Sequence, residues 1–403
     1  MSLLQKQLKK CFKATGVISL LLLMSCSGRN IHSEAKNDPK VLIREWTIQT
    51  HGLRNAGDHG NEYSSSALFE NTLIFGTQGS GLVSLYPKIN QTRWILPIPG
   101  GVVSPVAVFG RSVYFGGGDG FFYSVNAETG RVQWRYELRN VTVSRPTVSQ
   151  GRVLFTTAHD AVYALDAGSG EWIWHYKRQN ISTATIRGAA APLVLGNDVI
   201  TGLSDGYLVV LSLEEGALKW EKKIHQGRKF TDVDASPVYE NGILYVSSYD
   251  GALYALNRKS GSTLWRFNAG GARAVQISGN RIFFPSTDGH LYCLDKIKGK
   301  VLWKFELDRG TPTEVIATPK HLFFGSSFQY LYGLDQSTGK LVYRWNVGYG
   351  SGFTAGLTWD PKNHRIYVLS GSGNLYAFRI REELRQRSHG RTDGYLNQDP
   401  LFP

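Results

Sequence analysis

The stretch Ser248–Asn268, SYDGALYALNRKSGSTLWRFN, determines the fold that we predict for this chain. It reads as a tight Asp-Gly turn, a strand ALYAL, a polar turn NRKSG and an outer strand that carries Trp265. An Asp-Gly pair supplies the positive φ that a two-residue hairpin turn requires. Short apolar runs bounded by turn residues are typical of β-strands. The stretch is therefore interpreted as part of one antiparallel sheet.

The same phrase recurs about every 40 residues, which is typical of a repeat architecture with four strands per unit. The other clear copies are GDGFFYSVNAETGRVQW, HDAVYALDAGSGEWIW, SDGYLVVLSLEEGALKW, TDGHLYCLDKIKGKVLW and FQYLYGLDQSTGKLVY. Two weaker copies lie around Gly81 and Gly373, so the chain contains eight. The outer aromatic residues are Trp94, Trp134, Trp174, Trp220, Trp265, Trp303 and Tyr343. We expect them to pack between adjacent units, because so many equivalent aromatics cannot all form one ligand site.

The eighth copy, SGSGNLYAFRI, has no outer strand after it. A matching strand stands at the other end of the repeats, in VLIREW with Trp46. Pairing these two segments would close a ring and leave no sheet edge open at the junction. The sequence therefore predicts an all-β fold, an eight-bladed β-propeller with four-stranded antiparallel blades over residues 41–380, whose last blade is closed by the N-terminal strand.

Residues 1–25 differ in kind from the repeats. Four lysines precede a short apolar run, Val17–Met24, which is too short to cross a bilayer and is typical of a secretory signal. The run ends in Leu-Met-Ser-Cys and resembles the lipobox of bacterial lipoproteins, which implies acylation of Cys26. Ser27, rather than Asp, follows that cysteine, and by the same resemblance the lipoprotein goes to the periplasmic face of the outer membrane. We interpret residues 26–40 as a lipidated tether and residues 381–403 as a polar tail.

The formal net charge of +13 raises the question of nucleic-acid binding. The secretory signal argues against it, and the positive charges are spread over turns such as NRKSG and DKIKGK. Weak attraction to anionic lipid head groups fits better. The chain has three cysteines; Cys11 leaves with the signal and Cys26 is acylated, so Cys293 has no partner for a disulfide and is expected to be a small buried residue.

The segments that connect successive blades differ in length. The interval from the outer aromatic to the next inner-strand proline is longer at Trp174–Pro192 and Trp220–Pro237 than at Trp94–Pro105 or Trp134–Pro146. These two long connections are neighbours around the ring. Since function on rigid scaffolds usually lies in such connections, we expect loops 178–189 and 225–235 to form one binding surface.

Within these loops Ile186 lies beside Arg187, and Asp232 and Asp234 alternate around Val233. Residues two apart in an extended segment point the same way, so both carboxylates are expected on one side. They could pair with the arginine or meet a basic partner. A metal site is disfavoured because no third ligand has suitable spacing. Glycosidase chemistry is disfavoured because no cleft of sugar-stacking aromatics is evident.

From residue 41 to residue 379 the phrase LYALDxxTGxxxW resembles the pyrroloquinoline-quinone-like propeller repeat. Together with the lipobox and the two loops, it is similar to the BamB family of the outer-membrane β-barrel assembly machinery. That family has Leu-x-Leu-Arg-Gly before Ala-Pro, which residues 184–188 match with Ala184 in place of the first leucine, and Asp-Val-Asp before Pro-Val, which residues 232–234 match. The resemblance implies that Ala184, Ile186, Arg187, Asp232 and Asp234 contact the POTRA domains of a BamA-like partner.

Two other functions remain open. A quinoprotein dehydrogenase shares the eight-bladed ring, but the members of that group resemble one another in a vicinal cysteine pair, calcium ligands and a stacking tryptophan, and this chain has no adjacent cysteines. The propeller could also bind another envelope partner or a polysaccharide. We predict a monomeric, non-enzymatic scaffold with no cofactor, no metal and no nucleic acid, bound to BamA and other members of the complex and tethered to the membrane through its lipid anchor.

Overall fold

The computed structural model describes residues 41–50, 64–178, 190–224, 231–249 and 251–381. These ranges contain 32 β-strands and no helix. The strands form eight four-stranded antiparallel sheets arranged as a ring, which confirms the predicted eight-bladed propeller. Within these ranges we find no helix with the length and apolarity needed to cross a bilayer. The signal segment, Cys26, the tether 26–40 and residues 382–403 lie outside the described residues.

The strands are numbered in chain order, beginning with β1 (Leu42–Gln49). Blade 1 contains β2 (Ser66–Phe69), β3 (Thr72–Thr77), β4 (Gly81–Tyr86) and β5 (Gln91–Leu96). Blade 2 contains β6 (Ala107–Phe109), β7 (Ser112–Gly116), β8 (Phe121–Asn126) and β9 (Val132–Glu137). Blade 3 contains β10 (Thr147–Ser149), β11 (Arg152–Thr156), β12 (Ala161–Asp166) and β13 (Trp172–Lys177). Blade 4 contains β14 (Leu193–Leu195), β15 (Asp198–Gly202), β16 (Tyr207–Ser212) and β17 (Leu218–Lys223).

The second half of the ring follows the same order. Blade 5 contains β18 (Val238–Glu240), β19 (Ile243–Ser247), β20 (Leu253–Asn257) and β21 (Thr263–Phe267). Blade 6 contains β22 (Gln276–Ser278), β23 (Arg281–Pro285), β24 (His290–Asp295) and β25 (Val301–Glu306). Blade 7 contains β26 (Ile316–Ala317), β27 (His321–Gly325), β28 (Tyr330–Asp335) and β29 (Leu341–Asn346). Blade 8 contains β30 (Thr358–Asp360), β31 (Arg365–Leu369), β32 (Asn374–Ile380) and, as its outer strand, β1.

The N-terminal strand closes the ring as the sequence predicts. β1 pairs antiparallel with β32, from Leu42 opposite Ile380 to Gln49 opposite Asn374. Glu45 on β1 forms ion pairs with Arg365, at 2.5 Å, and with Arg379, at 3.1 Å, both on blade 8. The two chain ends of the propeller are therefore joined by a ladder of backbone hydrogen bonds and by partly buried ion pairs.

Every outer strand has the same irregularity directly before its aromatic residue. The register shifts by one residue, which is a β-bulge and bends the strand. The aromatic residues and their partners on the neighbouring strand are Trp94 and Ser84, Trp134 and Ser124, Trp174 and Ala164, Trp220 and Val210, Trp265 and Ala255, Trp303 and Cys293, Tyr343 and Gly333, and Trp46 and Ala377. Trp46 thus occupies the position in blade 8 that the outer aromatic residues of the repeats occupy in the other blades. Cys293 is fully buried at the site that alanine occupies in blades 3 and 5.

In blades 1 to 6 the indole of the outer strand lies against a glycine of the next blade. A Cβ placed on Gly170, whose φ is +78°, would come within 2.5 Å of Trp134 Cδ2, so this position requires glycine for its backbone and for its space. The Trp134 indole also donates a hydrogen bond of 3.1 Å to the carbonyl of Ala167 in blade 3. The same glycine–indole contact joins Gly130 to Trp94, Gly216 to Trp174, Gly261 to Trp220, Gly299 to Trp265 and Gly339 to Trp303.

The strand order gives the ring two faces. The connector face carries the links between blades and the hairpins between the second and third strands, for example residues 97–106 and 117–120. The turn face carries the other two turns of each blade, for example residues 110–111 and 127–131. Both ends of the propeller segment lie on the turn face, where the Arg381 amide donates a hydrogen bond of 3.1 Å to the Val41 carbonyl.

Candidate partner-binding site

The two long connections predicted to bind a partner both lie on the connector face. One joins β13 of blade 3 to β14 of blade 4, and the other joins β17 of blade 4 to β18 of blade 5. Ala184, Ile186 and Arg187 fall in residues 179–189, outside the described residues. The second loop is described from Thr231 onward, so the geometry of the site comes from that loop and from the hairpins around it.

The Asp-Val-Asp segment is fixed by backbone hydrogen bonds on both sides. The Val233 amide donates to the Leu203 carbonyl of blade 4 at 3.1 Å, and the Tyr249 amide of blade 5 donates to the Asp232 carbonyl at 2.9 Å. The Val233 side chain is buried against Gly202, where an added Cβ would lie 2.3 Å from Val233 Cγ1. Because Gly202 leaves room for this close approach, the segment is held rigidly between the two blades.

The two aspartates differ in accessibility. Asp232 is completely buried, whereas Asp234 remains partly accessible. Burial raises the pKa of Asp234 to about 7, and the nearby negative charge of Asp232 adds to that rise. The alternation around Val233 does bring the two carboxylates within electrostatic range of each other. Of the pair, Asp234 is the residue that keeps accessible surface.

A third carboxylate belongs to the same cluster. Asp160, in the hairpin of blade 3, accepts hydrogen bonds from the amide of Ser204, at 3.2 Å, and from its hydroxyl. The Ser204 carbonyl in turn accepts a hydrogen bond of 3.1 Å from the hydroxyl of Thr231 in the second loop. Burial raises the pKa of Asp160, and its charge contributes to the raised pKa of Asp234. Ser204 therefore ties blades 3, 4 and 5 together beneath the candidate surface.

Two arginines that the sequence analysis did not single out flank this cluster. Arg178, at the start of the first loop, forms an ion pair with Asp205 at 2.7 Å and another with Glu221, and its guanidinium lies 4.2 Å from the centre of the Tyr207 ring. Arg273, in the link between blades 5 and 6, is exposed and donates to the Thr354 carbonyl at 2.8 Å. Its charge lowers the pKa of Asp234 but does not overcome the effect of burial. Sequence could have indicated Arg178 only through its place directly after an outer strand.

The arrangement is suited to recognition by charge. In the part of the chain that the structure describes, no group of three or more His, Cys, Asp or Glu side chains could hold a metal ion. Asp234 presents a carboxylate whose ionisation is opposed by burial and by two neighbouring acids. An external cation would relieve that opposition, so the site favours a basic group on a partner.

The family model described as outer membrane protein assembly factor BamB matches residues 91–305, which is just over half of the chain. The BamB of Escherichia coli strain K12 is 30% identical over 105 residues, and that stretch spans 25% of this chain and only 27% of its relative.

Solved structures extend the comparison of the fold. The crystal structure of BamB from Moraxella catarrhalis has a TM-score of 0.73 and 22% identity, and the match covers 84% of this chain and all of that chain. A quinohemoprotein alcohol dehydrogenase from Pseudomonas putida HK5 has a TM-score of 0.67 and 12% identity, with 90% of this chain and 78% of that chain covered. At these identities both structures demonstrate a shared fold only, and the family match rests on the sequence.

Proposed function

This chain belongs to the BamB family of outer membrane protein assembly factors, and from that premise we propose that it is a non-enzymatic scaffold of the machinery that assembles β-barrel proteins in the outer membrane. Its ligand would be another protein rather than a small molecule, and its role would be binding rather than catalysis. The alternative of a quinoprotein dehydrogenase has only the shared ring in its favour, and the three cysteines, Cys11, Cys26 and Cys293, include no vicinal pair.

The partner is a BamA-like protein, bound through its POTRA domains at the two long connections on the connector face. The observation that carries this assignment is Asp234, a partly accessible residue fixed in the second loop beside the buried Asp232 and the half-buried Asp160. A basic side chain of the partner would pair with it. Ala184 and Ile186 would supply apolar contact, and Arg187 would supply the complementary charge.

The localisation follows from the sequence at the N-terminus. Acylation of Cys26 would anchor the protein to the periplasmic face of the outer membrane, and residues 26–40 would link the anchor to β1. Two or more acyl chains anchor stably, where a single chain binds only marginally. The propeller itself acts as a monomer, since β1 supplies the fourth strand of blade 8 and pairs with β32 within one chain.

Recovery of the partner from solubilised envelopes tests the proposal. Asp234→Asn keeps the shape of the side chain and removes its charge, and loss of one member of a desolvated charge pair costs about 2 kcal/mol or more, roughly 30-fold in affinity. The matched control is Asp288→Asn, which changes an exposed carboxylate on the same face in blade 6. We expect the barrel-assembly partner to be lost with Asp234→Asn and retained with Asp288→Asn. Equal recovery with both variants, each folded as judged by thermal unfolding, would refute the assignment of this surface.

A further inference from the structure

The turn face carries a concentration of positive charge on one half of the ring. Six lysines in the turns of blades 5 to 8 are exposed. They are Lys259, Lys298, Lys300, Lys320, Lys340 and Lys362. None of the six forms an ion pair with an acidic side chain in the part of the chain that the structure describes. On blades 3 and 4 the same face instead exposes Glu171, Glu214 and Glu215. Blades 1 and 2 add the exposed Lys88, Arg111 and Arg131, of which Arg111 pairs with Glu128, so the unpaired positive charge is densest in the arc of blades 5 to 8 without being restricted to it.

The acids within this arc are already engaged. Glu240 pairs with Lys296, and Glu45 pairs with two arginines of blade 8. Asp295 accepts hydrogen bonds from two backbone amides of its own turn, at 3.0 and 2.7 Å. Asp335 accepts the amides and hydroxyls of Ser337 and Thr338. The lysines outside these contacts are left to attract an external anion.

Two apolar side chains lie at the tips of turns on the same face. Ile297 is 67% exposed between Lys296 and Lys298 in blade 6, and Ile89 is 66% exposed in the corresponding turn of blade 1. The basic arc comprises blades 5 to 8. Ile297 of blade 6 therefore lies within it, and Ile89 lies beside it because blade 1 adjoins blade 8. Apolar tips set among lysines favour the boundary between lipid head groups and acyl chains, where the hydrocarbon is buried and the ammonium groups stay with the phosphates.

A concave basic site lies inside the arc. A cavity of about 390 Å³ between blades 6 and 7 is lined by Arg281, Lys320 and His321, together with the turn at Asp335 and Gln336. The Arg281 guanidinium is turned toward this turn, 3.5 Å from the Gln336 carbonyl. The wall carries the two cations Arg281 and Lys320 against the one carboxylate of Asp335, and the cavity has room for a phosphate group.

The described part of the chain begins and ends on the turn face. Residues 26–40 join the propeller at Val41, and Val41 lies on the turn face beside Arg381. A tether anchored in lipid would therefore approach the ring from the side that carries the lysines. This step depends on the lipid anchor proposed above, whereas the charge, the apolar tips and the cavity do not.

We propose that the turn face of blades 5 to 8 docks on an anionic phospholipid surface. The lysines lie at the level of the head-group phosphates, and Ile297 and Ile89 enter the interfacial layer. Each lysine near such a surface contributes about fivefold to the partition coefficient. Burial of one isoleucine side chain contributes roughly tenfold.

Vesicle co-flotation of the chain from residue 26 onward, with Cys26→Ser as the background, tests this docking in the absence of both the signal segment and the acyl anchor. We expect binding to phosphatidylglycerol–phosphatidylcholine vesicles at low salt, little binding to phosphatidylcholine alone, and weaker binding at physiological salt because of screening. Replacement of Lys298, Lys320 and Lys340 by glutamine should lower the partition coefficient by about 100-fold. Ile297→Ser should lower it by roughly tenfold.

Matched controls separate the face from the net charge. Replacement of the exposed lysines Lys177, Lys223 and Lys304 on the outer strands by glutamine changes the charge equally. Ile95→Ser removes an isoleucine that is 54% exposed on an outer strand. Equal loss with the control lysines, or binding independent of phosphatidylglycerol, would overturn the proposal. Displacement of the protein from the vesicles by inorganic phosphate alone would also overturn it. The same holds if the variant at Lys298, Lys320 and Lys340, called the face variant, still binds lipid but no longer recovers an envelope protein. Recovery of the barrel-assembly partner by the face variant is measured in a separate experiment. Failure of the lipid-docking proposal can therefore be distinguished from failure of the proposed function.

Discussion

The raised pKa of Asp234 predicts that this carboxyl group lowers the stability of the fold as the pH rises, which is the reverse of the usual effect of an aspartate. Its folded-state pKa is raised to about 7, above the value of about 3.9 expected for an unfolded chain. A raised pKa means that folding favours the protonated form. Ionisation of this carboxylate therefore costs stability, and the cost grows as the pH rises from about 4 to about 7.

The size of the effect follows from the two pKa values. At pH 5 the unfolded carboxyl is mostly ionised and the folded one mostly protonated, which gives a cost of about 1.5 kcal/mol. At pH 8 both forms are ionised and the cost reaches about 4 kcal/mol. Asp234→Asn removes the ionisation, so it should stabilise the protein by about 2–3 kcal/mol more at pH 8 than at pH 5.

Urea unfolding followed by tryptophan fluorescence measures the difference between the two pH values. Asp198→Asn is the opposite case and serves as the control, because its carboxylate pairs with Lys219 at 2.6 Å and with Arg258 at 3.1 Å and its pKa is lowered. That variant should destabilise the protein at neutral pH, and its effect should vanish as the pH falls through the lowered pKa. An Asp234→Asn effect that is the same at pH 5 and pH 8 would refute the assignment of a buried, repelled carboxylate.

Two further predictions concern the ring. Gly170→Ala should destabilise by about 3 kcal/mol, from a left-handed backbone and overlap with Trp134, whereas Gly151→Ala in the same blade has a similar φ and open space and should cost only about 1 kcal/mol. Equal urea midpoints for the two variants would contradict the contact between indole and glycine. Glu45→Gln breaks the charge link that closes the ring and should cost about 1–3 kcal/mol. Glu137→Gln, in an exposed pair, should change the midpoint by less than about 0.5 kcal/mol, and an equal effect of both would show that closure does not depend on Glu45.

The fold was predictable because each blade is encoded locally and repeated. In blades 2 to 7 a Gly with positive φ is followed four residues later by an aromatic and sets one hairpin, whereas Asn90 takes the place of the glycine in blade 1 and Trp46 completes blade 8. Trp46 could be assigned to blade 8 because it falls in the same register as the other outer aromatics. The uniform bulge before each aromatic was not evident, since its residues share no type.

The candidate site was predictable in position and less so in chemistry. The lengths of the two connections placed it on neighbouring blades, but alternation alone could not indicate that Asp232 is buried and Asp234 accessible. That difference depends on backbone contacts with Leu203 and Tyr249, which belong to other segments. The contribution of Asp160 likewise requires the ring, because it comes from a separate blade.

Charge on the turn face shows the same limit more clearly. Along the chain, the lysines of NRKSG and DKIKGK are separated by about 40 residues, and the sequence therefore suggested dispersed charge. In the ring that spacing becomes adjacency, since each repeat adds its turns to the same face. The two faces are separated by strands of about six residues, roughly 20 Å. A ring that rests on lipid through its turns would therefore hold the acidic connector site about 20 Å from the head groups, facing away from the membrane and open to a partner domain.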